Sequence, residues 1–150
     1  MRIGRSALVI GALAALLVAP TVTAAAPPVT TITIDVQFGV SEEFQATGGV
    51  VCDSGVAVTD PVFAAGFGRM GRGVGTFHLI KTLICDDGSG TFQIRVNAAT
   101  APTSPGTIGG FAVVGGTGDY EGLHGAGSLL GTGTGGGTGI LDVYTGILMN

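Results

Sequence analysis

Charge is what this chain has least of. Only 11% of its 150 residues are Asp, Glu, Lys or Arg, and histidine occurs twice. A typical chain carries about a quarter, so few side chains are present for acid–base or ionic chemistry. The 6 Lys and Arg against 10 Asp and Glu give a formal charge of −4, which leaves no basic face for nucleic acid or an anionic membrane. Helical patterning is missing too, since no segment beyond the first two dozen residues repeats its apolar positions with a helical period. The 29 glycines, nearly three times the usual share of about 7%, would each cost a helix interior about 1 kcal/mol. A coiled coil or helical bundle is thereby excluded. The glycines follow no three-residue period, which excludes collagen, and 45% apolar residues exclude a disordered polar tail. One small, glycine-rich, all-β domain remains.

The uncharged, mostly apolar run of residues 7–19 is too short to span a bilayer, since a spanning helix needs roughly 20 apolar residues. With Arg2 and Arg5 before it and small residues after it, residues 1–25 read as a secretory signal peptide cleaved after Ala24 or Ala25. The expectation is a secreted domain of residues 26–150 with no membrane contact after cleavage. Both lost charges are positive, so losing Arg2 and Arg5 moves the formal charge from −4 to −6.

Cysteine is scarce as well. Cys52 and Cys85 are the only two, both in the exported part, where disulfides persist. They allow one intramolecular pairing, and closing that loop of about 34 residues contributes roughly 4 kcal/mol by chain entropy, less any strain. Two free thiols or an intermolecular link are the alternatives. A zinc site would need histidines at short spacing, and His78 and His124 do not supply it, so no metal and no cofactor are expected.

What the chain does have is alternation. Residues 31–38 place Ile32, Ile34, Val36 and Phe38 on one face and Thr33, Asp35 and Gln37 on the other, the period of a half-buried strand. Further strands are expected over 44–52, at Val56 and Val58, over 76–85 and over 91–97. The last two flank a turn at Asp86-Asp87-Gly88-Ser89-Gly90, forming a hairpin. Both faces of the 76–85 strand carry apolar residues, as at a central or barrel position. Residues 64–75, glycine-rich around Arg69 and Arg72, read as a flexible loop whose arginines are solvated or hold an anion. Another loop is expected over 100–107, then a strand over 111–114 and about two more around Leu129-Leu130 and residues 140–148. About eight strands joined by short turns close into a barrel or pack as two sheets.

Chemical motifs are weak. Residues 113–122, Val-Val-Gly-Gly-Thr-Gly-Asp-Tyr-Glu-Gly, imitate a dinucleotide-binding turn but lack the helix that would bind the phosphates. Residues 87–92 imitate the middle of a calcium loop, yet that register puts Cys85 at the first ligand position and Val96 where a bidentate Glu belongs. No serine sits in a nucleophile turn. The densest ionisable cluster is Asp119, Tyr120, Glu121 and His124. Tyr120, Glu121 and His124 are the weak catalytic candidates, against a turn with solvated charges and a packed Tyr ring.

Residues 115–125, Gly-Gly-Thr-Gly-Asp-Tyr-Glu-Gly-Leu-His-Gly, resemble the glycine–aromatic signature of the dirigent and allene oxide cyclase barrel group. The flanks agree: Phe111-Ala-Val-Val before it, Gly127-Ser-Leu-Leu-Gly after it, and a closing strand beginning Leu141-Asp-Val-Tyr. The whole chain also resembles small exported bacterial proteins with this barrel and a Cys-Asp-x-Gly-Ser-Gly turn, here residues 85–90. The resemblance implies an eight-stranded antiparallel barrel, often trimeric, and transfers no catalytic residue. Two functions follow as expectations: a non-catalytic barrel binding a small apolar ligand or a protein partner, or a cyclase or coupling-guide enzyme. An enzyme lumen would hold buried polar groups around a cavity, drawn from Glu43, His78, Arg95, Tyr120 or Tyr144. A lumen filled by Val, Ile, Leu and Phe would leave only a surface role. A homo-oligomer would show an exposed apolar sheet face.

Overall fold

The computed structural model describes residues 26–60, 63–65, 75–100 and 106–150. The signal-like segment, Arg69, Arg72 and the prolines at 102 and 105 lie outside them. The strands are β1 (Val29–Gln37), β2 (Ser41–Thr47), β3 (Ser54–Thr59), β4 (Phe63–Ala65), β5 (Gly75–Cys85), β6 (Gly90–Thr100), β7 (Gly106–Gly118), β8 (His124–Thr134) and β9 (Gly139–Met149). They run β3-β2-β1-β9-β8-β7-β6-β5-β4 around the sheet, and β3 also pairs with β5. That last pairing closes the ring. β3 lies along residues 81–85 of β5 and β4 along residues 76–78, so the two pieces share one strand position. The wall is a closed antiparallel barrel of eight strands, with no helix among the described residues.

Alternation decides which side chains enter the lumen. Ile32 and Ile34 of β1, Phe44 of β2, Leu83 of β5, Phe92, Ile94 and Val96 of β6, and Tyr144 and Leu148 of β9 are buried almost completely. Their strand neighbours Asp35, Glu43, Ile84, Arg95 and Thr145 are exposed. At roughly 25 cal/mol per Å² of apolar surface, this inner layer is the main stabilising element. The outward partners include exposed apolar residues, among them Ile108 and Leu130, which are paired across β7 and β8.

The disulfide joins Cys52, in the connection after β2, to Cys85 at the end of β5, with Cα atoms 5.9 Å apart, within the usual span of such bridges. No free cysteine is present, and the bridge is consistent with an extracellular or otherwise oxidising compartment.

Several elements differ from the expectation: Ala64 and Ala65, expected in a flexible loop, lie in β4, and the strand expected over 111–114 extends over Gly106–Gly118. The second strand runs from Ser41 to Thr47 and does not continue to Cys52, because Gly48 and Gly49 adopt φ of 110° and 71° and turn the chain out of the sheet. The glycine segment at 115–118 is the last part of β7, paired with β6, and the turn follows it. Pairing skips Val114 between Ile94↔Val113 and Gln93↔Gly115, a bulge that resets the side-chain parity. Gly116 must be glycine for space, since a Cβ there would run into the Tyr120 carbonyl oxygen. Tyr120 can therefore fold back beneath the end of β7.

Candidate functional site

The hairpin turns sort into two ends. Turns 86–89 and 119–123, the 48–53 connection and the disulfide lie at one end; turns 38–40 and 135–138 and the end of β3 lie at the other. At the disulfide end the lumen is filled. Phe92 meets Phe44 edge to face at 6.1 Å and Tyr120 at 5.5 Å, and the Tyr120 hydroxyl shares a 2.8 Å hydrogen bond with Ser89 Oγ.

Toward the other end the lumen contains a cavity of about 330 Å³, within the range of roughly 300–1,000 Å³ common for small-molecule sites. Val36, Phe77, Leu79, Val96, Leu129 and Ile140 form its apolar lining, with Phe38 and Asp60 toward the turns. Glu42, Thr59, Lys81, Asp142 and Tyr144 add polar groups. These five come from β2, β3, β5 and β9, strands brought together only by closure of the ring.

Lys81 is the unusual member, since a lysine is almost never buried without a partner. It is 4% exposed and donates to Glu42 Oε2 at 2.6 Å. Its ammonium also donates to Thr59 Oγ1 at 2.8 Å, while the Thr59 hydroxyl lies 2.8 Å from both Glu42 oxygens. The pair is thus hydrogen-bonded as well as charge-matched, the condition under which a buried ion pair is tolerated.

Asp142 stands beside this pair without a cation of its own. Its Oδ2 accepts a 3.2 Å hydrogen bond from the Tyr144 hydroxyl, its one hydrogen bond among the described residues. Burial raises its pKa above the ordinary Asp value; the Lys81 charge and the Tyr144 bond oppose the rise, and Glu42 adds to it. The same burial, with the Asp142 charge next to it, pushes the Tyr144 phenol far up, so Tyr144 remains a neutral donor. Its ring packs edge to face on Phe111 at 5.5 Å, which fixes the hydroxyl toward Asp142. The site therefore combines an apolar chamber, a neutralised ion pair and one carboxyl with unused acceptor capacity.

Of the residues named from sequence for an enzyme lumen, Tyr144 alone lines this cavity. Glu43, His78 and Arg95 are exposed on the outer wall, and His78 Nδ1 lies 2.6 Å from Asn97 Oδ1. Tyr120 is buried at the opposite end, while Glu121 and His124 are exposed there. His124 Nδ1 bonds the Gly122 carbonyl at 3.0 Å, and no hydrogen bond links Tyr120, Glu121 and His124 among the described residues. Sequence reasoning missed Glu42, Thr59, Lys81 and Asp142. The signal was parity: Lys81 alternates in step with Leu79 and Leu83, Glu42 with Phe44, Thr59 with Ala57, and Asp142 with Tyr144.

No group of three or more His, Cys, Asp or Glu side chains is placed to hold a metal ion among the described residues. Comparison of the chain with protein-family models, with curated proteins and with solved structures gives no match.

Proposed function

We propose that this is a secreted barrel that binds one small, mainly apolar molecule inside its lumen. The observation that carries the reading is the 330 Å³ cavity with its hydrophobic walls and few convergent polar groups. An eight-stranded barrel has an interior just wide enough to be filled by side chains or to hold one small ligand, and here only the disulfide end is filled. Secretion is supported by the signal-like residues 1–25 and by the Cys52–Cys85 bridge. Kinship with the dirigent and allene oxide cyclase group rests on residues 115–125, with the strand number in its support.

The test is mass spectrometry of the protein purified from its own medium, beside a Leu129→Trp variant that fills the lumen. A small molecule retained by the first and absent from the second supports internal binding. Equal retention by both refutes it.

A second reading, a cyclase or coupling-guide enzyme, draws on Asp142. A carboxyl whose pKa is raised by burial, next to a neutral phenol in an apolar chamber, is suited to proton transfer. Turnover of the retained molecule that is lost in Asp142→Asn would establish that reading over simple binding. The protein-partner or self-association reading draws on the exposed Ile108 and Leu130 of the outer wall.

A further inference from the structure

The charges around the cavity are unbalanced in a way that identifies the ligand's polar group. Among the described lining residues the acids are Glu42, Asp60 and Asp142, and the only base is Lys81. Lys81 is already committed to Glu42 and Thr59, so the charge left facing the chamber is negative. Asp142 has unused acceptor positions there. An anionic ligand would meet carboxylates with no free cation among the described lining residues. A wholly apolar ligand would strip water from Asp142 and return no hydrogen bond, which is costly for a charged group.

An ammonium group satisfies each of these conditions. It brings the missing positive charge and three N–H donors. The cavity also carries the rings of Phe38, Phe77 and Tyr144, whose faces attract cations at close range. We infer that the lumen selects a small hydrophobic amine, bound as its ammonium ion with the nitrogen on Asp142 and the apolar body against Leu79, Val96 and Leu129. The direction of the Asp142 pKa shift agrees, because it marks a carboxylate that the protein itself leaves short of compensation. This inference rests on the lumen being the binding site and names what that site takes.

Calorimetric titration of the disulfide-intact protein with phenethylamine, phenethyl alcohol and phenylacetate tests it, since the three probes share a ring and differ in charge. The amine is expected to bind at least about tenfold more tightly than the alcohol, a difference of roughly 1.4 kcal/mol, and phenylacetate most weakly. Asp142→Asn should erase the preference for the amine and leave alcohol binding in place. The ranking in the unaltered protein is decisive by itself should that variant not fold. If the alcohol equals the amine, or phenylacetate binds best, or none of the three binds, the amine inference is overturned. Its failure is separable from that of the lumen reading, because Leu129→Trp must weaken whichever probe binds if the lumen is the site, and retention of a natural ligand is scored independently.

Discussion

At the disulfide end, Phe92 is wholly buried between Phe44 and Tyr120; at the other end, the same inward-facing rows of β2, β5 and β9 carry Glu42, Lys81 and Asp142 around a cavity. Both ends obey one alternation, and both are closed by the same hydrogen-bonded wall. The difference lies in what fills the inward positions. Aromatic rings pack to interior density and stabilise the fold, whereas charged groups prevent close packing and hold space open. Tight packing and open space are thus separated along the barrel axis. Two carboxyls express the contrast. Asp87, at the filled end, is exposed and held below the ordinary Asp range by hydrogen bonds from Ser89, while Asp142 is held above it by burial.

The filled end is expected to carry most of the stability. Phe92→Ala should cost about 3–5 kcal/mol in denaturant unfolding, the largest loss of any change described. Reducing the Cys52–Cys85 bridge comes next, at about 2–4 kcal/mol, read as a fall in Tm with dithiothreitol. At the cavity end, Glu42→Gln leaves the Lys81 charge buried and should cost about 2 kcal/mol, below the roughly 3–5 of a fully buried pair because Glu42 is partly exposed. Replacing the pair together, Glu42→Leu with Lys81→Met, should return stability to near the starting value while changing which ligands enter. A double variant as damaged as the single one would show that the ion pair supports the wall.

The smallest effects are in pH, and they have opposite signs at the two ends. Because the folded-state pKa of Asp142 is raised, the folded protein holds its proton longer than the unfolded chain, and stability falls as pH rises from the ordinary Asp value through the raised one. Asp87 behaves conversely, contributing stability above the ordinary value that is lost as pH falls through its lowered folded-state pKa. Unfolding midpoints across the acid range for Asp142→Asn and Asp87→Asn should lose these two slopes separately. Carboxyl NMR titration reads the same two groups directly.

Much of the wall was legible in the residues. Ile32, Ile34, Phe92 and Ile94 announce their strands because a two-residue period leaves little ambiguity. The 115–118 segment was less legible, since glycine removes the side chains on which parity depends and the bulge at Val114 shifts the register that remains. The cavity cluster was hidden for a different reason. Lys81 and Asp142 stand at inward positions, but a charged residue on a strand is ordinarily read as facing water, and only the partnership of β2, β3, β5 and β9 supplies what keeps them inside. Those contacts are long-range, whereas Tyr120, Glu121 and His124 stand out in the residues because they are close in sequence, and no hydrogen bond links them among the described residues.

The closed ring also brings together distant parts of the chain. β1 lies between β2 and β9, with Val29 opposite Ile147, so the first and last strands are neighbours in the wall. Hairpins such as β5–β6 can form as soon as their residues are available, but the pairing of β1 with β9 spans nearly the whole domain and is intrinsically slow. The polar groups of the chamber come from β2, β3, β5 and β9, which are far apart in the chain, and β9 carries Asp142. If the lumen is the ligand site, ligand added during refolding should bind only after β9 has paired with β1, a delay that stopped-flow mixing with the ligand would read.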